Sequence, residues 1–380
     1  MPDIIIAGDF FIDSGNMNHR EPRFEFDKRL VEFIKSHQLS IVNFEATLGD
    51  ELQPVMKSGP NLSSSVEAAK VALEIGFNAV SLGNNHSMDF GVEGLLSTLR
   101  FFEQHDIPVV GAGRCQSSAS APLEIQCKGK SISIFNFCHN EWGIAKPKTP
   151  GVSGLDLARN LKAVQKAKSE TDFVVVICHM GHEYVRYQTP LVKGYLEAFA
   201  DFGADVVVNH HPHVVGGKSQ VGKSHVFSSI GNFCFTPHFM SETKDTQRGL
   251  LVSLTIRETG CLDIKNTVVH WDQSKESLGI LDGEYLESWM KDFETTSAIF
   301  NDSEKTQAML EQLVEDRVKE YSGRLEPRNN MVLRILRRLG LYNSMWPRSR
   351  RYALLNVIRC ETHREILVHM LEEELSACRE

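Results

Sequence analysis

Short apolar runs alternate with helical segments over the first two thirds of the chain, and most of the runs stop at a polar cluster. "IIIAGDF" reads as a strand ending in Gly8 and Asp9, and "SIVNFEATL" as a second, ending near Asn43 and Glu45. From Ser65 to Gly76, "SVEAAKVALEIG" holds a cap residue, helix formers and a terminal glycine, so it predicts a helix. "NAVSLGNNH" then returns as a strand, and "DFVVVICHMGHEY" and "ADVVVNHHPH" repeat the scheme after helices at about 154–169 and 190–202. The β-branched runs Val174–Ile177 and Val206–Val208 suit strands covered on both faces. Together these elements predict an α/β protein with strand and helix layers around a mixed sheet.

Asp9, Asn43 with Glu45, Asn84 with Asn85 and His86, His179, and His211 with His213 all fall at or just past the C-terminal end of a predicted strand. That sheet edge is where ligand sites assemble in layered α/β folds. Imidazole, carboxylate and amide oxygen are ligands for borderline-hard divalent ions such as Zn²⁺, Mn²⁺ and Fe²⁺, and the set contains no thiolate. A His-x-His pair on extended backbone presents both rings to one side, so His211 and His213 are expected to reach one cluster. Competing readings are a turn role for these histidines, a capping role for Asp9 and a left-handed turn at Asn85. His182, Glu183 and His210 either orient the ligands or sit at the surface. His139 and Glu141, in "NFCHNEWG", read as exposed loop residues. "IGNFCF" reads as a strand with a tight turn beside the metal, built on Gly231 and Asn232, and no phosphate-loop sequence follows it.

In this order "GDF" at 8–10, "NFEATL" at 43–48, "GNNHSMDFG" at 83–91, "CHMGHEY" at 178–184, "NHHPHVV" at 209–215 and "SSIGNFCF" at 228–235 resemble one family. It is the CapA-like branch, for capsule and poly-γ-glutamate biosynthesis, of the calcineurin-like metallophosphatase superfamily. The resemblance runs from about residue 3 to residue 271. It implies a four-layer α/β/β/α sandwich with a metal centre between two sheets. Asp9 would be a ligand from the first strand, Glu45 would take the place of the bridging aspartate, and Asn85, His179, His211 and His213 would complete the shell. His86 would protonate the leaving group, and a metal-bound hydroxide would attack, its water acidified from about 15.7 towards about 7. Asn43, Asn84, His182, Glu183, His210 and Asn232 would surround the ligands or the substrate. The superfamily's Asp-x-His is replaced here by Asp9-Phe10-Phe11, and its GD-x-x-D by Asn43-Phe44-Glu45. These departures predict one tight and one weak ion, with Asp13 or Asn43 offering a compensating oxygen.

Composition adds the setting. With 42% hydrophobic and 24% charged residues the chain belongs among folded proteins, and a formal net charge of -8 gives no expectation of a nucleic-acid partner. Eight cysteines without a CxxC pair point to a reducing cytoplasm. The N-terminus lacks an early positive cluster, so no secretory signal is expected, and no apolar run reaches the roughly 18 residues of a membrane span. After Trp271 the texture turns helical, dividing the chain into a metallophosphatase-like domain at 1–272 and a helical region at 273–380. Ser303 caps a helix whose Leu310, Leu313, Val314 and Val318 form an apolar stripe. Residues 328–359 carry eight arginines and no acid or lysine. With Arg334, Arg337 and Arg338 on one face, this stretch suits peripheral contact with an anionic membrane or an acidic polymer, or a helix packed on its neighbours with arginines paired to Glu372, Glu373 and Glu374. The expected function is a metal-dependent phosphomonoesterase or phosphodiesterase of capsule, exopolysaccharide or poly-γ-glutamate metabolism, acting on a phosphorylated small molecule. The alternatives are a γ-glutamyl amide hydrolase and a weakly catalytic or non-catalytic metal-binding factor for an anionic surface polymer.

Overall fold

The computed structural model describes residues 3–13, 17–18, 21–49, 52–236, 245–272, 274–325, 335 and 348–377. The strands that matter most are, in chain order, β1 (Ile4–Phe11), β2 (Leu39–Phe44), β3 (Ala79–Ser81), β4 (Lys130–Cys138), β5 (Phe173–His179), β6 (Val206–His210), β7 (Asn232–Phe235) and β8 (Arg248–Ile256). One sheet runs from Glu25–Phe26 through Ser277–Ile280, Leu262–Asp272, β8, β1, β2 and β3 to Val109–Val110. β8 lies antiparallel to the first half of β1, and β7 takes its place, parallel, beside the second half. The other sheet runs Leu123–Cys127, β4, β5, β6, Ser224–Phe227 and Lys218–Val221.

Side-chain alternation sorts these strands into layers. On β1, Ile5 and Ala7 face a core shared with Leu30 and Ile34 of α1 (Lys28–Lys35), Ala68 and Ala72 of α2 (Val66–Glu74), and Phe102 of α3 (Gly91–Gln104). Ile4 and Ile6 point the other way, into a core with Val175, Ile177, Val206 and Val208 of the second sheet. The opposite faces of those strands, Val174, Val176 and Val207, pack on Val164 of α4 (Leu157–Glu170) and Leu196 and Phe199 of α5 (Pro190–Asp201). Both sheets are therefore covered twice, which is why their strands are continuously apolar. The result is the four-layer α/β/β/α sandwich, and its parallel strands β1, β2, β5 and β6 all deliver their C-terminal ends to one edge.

α6 (Gly283–Phe300) stacks Trp289 on Phe293, with ring centroids 5.3 Å apart, at the rim of the core between the sheets. The helices that follow among the described residues, α7 (Ser303–Leu325), α8 (Arg348–Arg359) and α9 (Glu361–Ala377), share a smaller core of Leu310, Leu313, Val314, Tyr321, Val357, Ile366 and Met370. Leu310, Leu313 and Val314 thus form the buried stripe their spacing predicts, whereas the side chain of Val318 lies outside the described residues. Of the arginine-rich stretch 328–359, only residues 335 and 348–359 are described, so the face proposed on Arg334, Arg337 and Arg338 lies outside them, as do the side chains of Glu373 and Glu374. Among the described residues no helix is long and apolar enough to cross a membrane.

Candidate metal centre

Asp9 is aimed by an irregularity in its own strand. The pairing of β1 with β2 is regular up to Ala7–Val42, skips Gly8, and resumes at Asp9–Asn43. Such a bulge turns the next side chain off the sheet's regular alternation. Gly8 is required there because a Cβ would lie 1.9 Å from the Gly231 carbonyl oxygen, where β7 closes on β1. The Asp9 carboxylate accepts from the Asn43 amide at 2.8 Å and lies 3.1 Å from His210 Nδ1 and 3.3 Å from His213 Nδ1. Burial alone would raise its pKa, but hydrogen bonds and charge from His210 and His213 carry it well below the ordinary carboxylate value.

Glu45 follows β2 and is completely buried. Neither carboxylate oxygen has a hydrogen-bond partner. Oε1 lies 3.5 Å from His179 Nε2, 3.8 Å from His213 Nε2 and 3.9 Å from His86 Nε2. Burial first, and then the charge of Asp9, push this carboxyl well above its usual range. A buried acid with nothing bonded to it is costly, and a cation resolves the cost, so the donor set fits a metal. Ligand atoms of Asp9, Glu45 and His213 lie within 4.8 Å of one another, as do those of Glu45, His179 and His211, and those of Asp9, His179 and His210. Glu45 belongs to the first two groups and is placed to bridge them. Asn85 joins the second group, its Oδ1 standing 2.9 Å from His179 Nε2. Burial holds His179 and His211 well below the ordinary imidazole pKa, the neutral form that metal ligation needs. His213 goes the other way, up to about 10, since burial, which would lower it, is outweighed by Glu45 and Asp9.

His211 and His213 are not on extended backbone, as their alternate spacing had predicted. β6 ends at His210, and the two residues take φ values of 89° and 58° on either side of Pro212. A turn, strained by about 1–3 kcal/mol per residue, brings the rings inward instead.

His86 is held from behind. Its Nδ1 lies 2.6 Å from Asp89 Oδ2, Asp89 is also paired with Lys57, and the opposite ring nitrogen faces Glu45. Asp89 and Lys57 were not singled out in the sequence, although the i,i+3 spacing of His86 and Asp89 inside "GNNHSMDFG" was a usable signal. Three predicted neighbours serve as braces. Asn43 ties Asp9 towards His179, Asn84 donates to Asn43 Oδ1 at 3.1 Å and to the Phe44 carbonyl at 2.9 Å, and Asn232 Oδ1 stands 2.9 Å from His213 Nδ1. Asp13 is outside the three groups, and Phe11 packs on Phe235, whose ring also touches His213. His182 and Glu183 miss the groups as well, and line a cavity of about 210 Å³ together with Lys57, His86, His211, Arg317 and His363.

His139 and Glu141, expected in an exposed loop, are buried at 0% and 6% exposure. The His139 ring is 4.5 Å from that of His211, and Glu141 Oε1 accepts from Asn356 at 2.8 Å and lies 3.1 Å from His363 Nε2. α8 and α9 cover this loop from more than 200 residues away, a contact that no local pattern announces.

A four-layer sandwich whose strand ends converge on buried carboxylate, amide and imidazole defines an α/β protein with a candidate metal centre. The chain belongs to the bacterial capsule synthesis protein PGA_cap family, whose profile matches residues 3–237. It is 32% identical over 203 residues to the PGA biosynthesis protein CapA of Bacillus subtilis (strain 168), covering 53% of this chain and 52% of that one. It is 30% identical over 242 residues to the capsule biosynthesis protein CapA of Bacillus anthracis, covering 61% of this chain and 58% of the relative. The matched stretch therefore spans a little over half the length of these relatives. One solved structure, a protein of Thermus thermophilus, aligns at 11% identity and a TM-score of 0.35 over 70% of this chain and 99% of that one.

Proposed function

We propose that this chain is a metal-dependent phosphoester hydrolase serving synthesis of an anionic capsule polymer. The observation that carries the reading is the Glu45 carboxylate, fully buried, bonded to nothing and shared by two ligand groups. Asp9, Glu45 and His213 would hold one ion and Glu45, Asn85, His179 and His211 another, of Mn²⁺, Zn²⁺ or Fe²⁺. Bound there, divalent ions would supply Lewis acidity towards a phosphoryl oxygen and a water of lowered pKa. The chain's own residues supply the rest. Asp89 faces Nδ1 and orients the His86 ring, turning the opposite nitrogen towards Glu45, where an imidazolium would donate to the leaving oxygen. Arg317 brings a guanidinium and His363 an imidazole to the cavity wall, which suits a phosphorylated small molecule or the phosphorylated end of a polymer. We assign the chain to the cytoplasm on sequence grounds, its scattered cysteines.

The test is hydrolysis of an aryl phosphate monoester and diester by metal-stripped protein refilled with Mn²⁺ or Zn²⁺. Turnover should depend on metal and fall by about 10²–10⁴-fold in His86→Ala, with metal content kept. No turnover in loaded protein would reject phosphoester chemistry in favour of γ-glutamyl amide hydrolysis or a binding role in polymer assembly.

A further inference from the structure

A second cluster of metal-ligating side chains lies beside the centre just described, and none of its members has been given a role. His139 follows β4, and its backbone N–H is tied to the His179 carbonyl at 3.1 Å. Glu141 is two residues on. Cys360 comes from the junction of α8 and α9, its backbone N–H bonded to the Asn356 carbonyl at 2.9 Å. A ligand atom of each of the three lies within 4.8 Å of those of the other two. Cys360 Sγ is 3.6 Å from His139 Nδ1, and His139 Nε2 is 3.5 Å from Glu141 Oε2. These two contacts fall on opposite nitrogens of the ring, only one of which would bind the ion, and it is the grouping of one atom from each residue within 4.8 Å that brings the three near the spacing of donors around an ion with bonds of about 2.0–2.3 Å.

Two further observations point to a ligand. His139 Nε2 has no hydrogen-bond partner although the residue is 0% exposed. Glu141 is braced through Oε1 by Asn356 and His363, which leaves Oε2 turned towards the imidazole, the arrangement that orients a ligating carboxylate. A nucleophilic thiol would need access, whereas Cys360 is 0% exposed and does not line the cavity.

We propose that His139, Glu141 and Cys360 form a separate, thiolate-containing metal site that fastens the C-terminal helices to the α/β core. Sulfur, nitrogen and oxygen donors together select a borderline ion, Zn²⁺ foremost, over Mg²⁺ or Ca²⁺. Metal bound here closes a loop of 221 residues between His139 and Cys360, so its binding free energy also holds α8 and α9 in place. The site does not depend on the chemistry proposed for Glu45 and His86.

Cobalt substitution tests it. Each of the three groups at the main centre consists only of oxygen and nitrogen donors, so a thiolate-to-Co²⁺ charge-transfer band in the near ultraviolet reports the new site alone. The band should appear in Co²⁺-loaded wild-type protein and persist in His211→Ala. It should vanish in Cys360→Ser, whose Zn²⁺ content should fall by about one equivalent per chain. A loaded wild-type protein without the band overturns the proposal with no variant needed, and so does a band that survives Cys360→Ser.

Discussion

Replacing Glu45 by glutamine should stabilise the metal-free protein and abolish its stabilisation by metal. In the metal-free state this carboxylate is fully buried with both oxygens unbonded, and Asp9 lies in the same ligand group. A buried charge left unpaired costs more than the neutral amide that would replace it, and removing the charge beside Asp9 should return about 1–3 kcal/mol. At roughly 2 °C per kcal/mol for a chain of this length, the melting temperature should rise by about 2–6 °C. The pH dependence follows from the raised pKa. Near the ordinary glutamate value of 4.5 the carboxyl is protonated when folded and costs little, so the variant gains little. As the pH rises, the unfolded chain ionises while the folded one resists, stability of the wild type falls, and the gain of the variant grows. Metal reverses the order: at about 100 times its dissociation constant an ion stabilises the wild type by about 2.7 kcal/mol, and the variant should lack this increment. The assay is thermal unfolding of both proteins, stripped and refilled, from pH 5 to 8. A stripped variant that is less stable than stripped wild type at every pH would refute the orphan-carboxylate argument.

Asp89→Asn should keep its metal and lose about 10–100-fold in turnover, because the lost charge acts through the tautomer and orientation of His86. Metal content, together with a fall in kcat at near wild-type KM, separates this from a general structural defect. Trp289→Ala should cost about 3–5 kcal/mol in urea unfolding, since it empties the stack on Phe293 at the rim of the core between the sheets; a change below about 1 kcal/mol would mean that α6 contributes little to that core.

The layers were legible because a strand covered on both faces must be apolar throughout, as Val174–Ile177 and Val206–Val208 are. The shared edge was legible for the same reason, since Asp9, Glu45, Asn85, His179 and His211 each interrupt or follow such a run, and the structure does bring them together. Backbone conformation was less accessible: a His-x-His spacing looks alike on a strand and in a turn, and Pro212 between His211 and His213 was the clue that favoured the turn. Burial of His139 and Glu141 was beyond any local reading, because it is imposed by Asn356, Cys360 and His363 from the far end of the chain. Asp89 was overlooked for the opposite reason, being close to His86 in sequence yet looking like an ordinary turn residue.

The cavity draws its ligand-bearing floor from residues within the family-matched stretch 3–237, and Arg317, Asn356 and His363 of its wall from α7, α8 and α9 beyond it. A change in the tail would alter the shape and charge that a substrate meets while leaving in place the candidate ligands of the centre around Glu45. What a substrate meets at the wall and what holds an ion at the floor thus rest on separate stretches of chain.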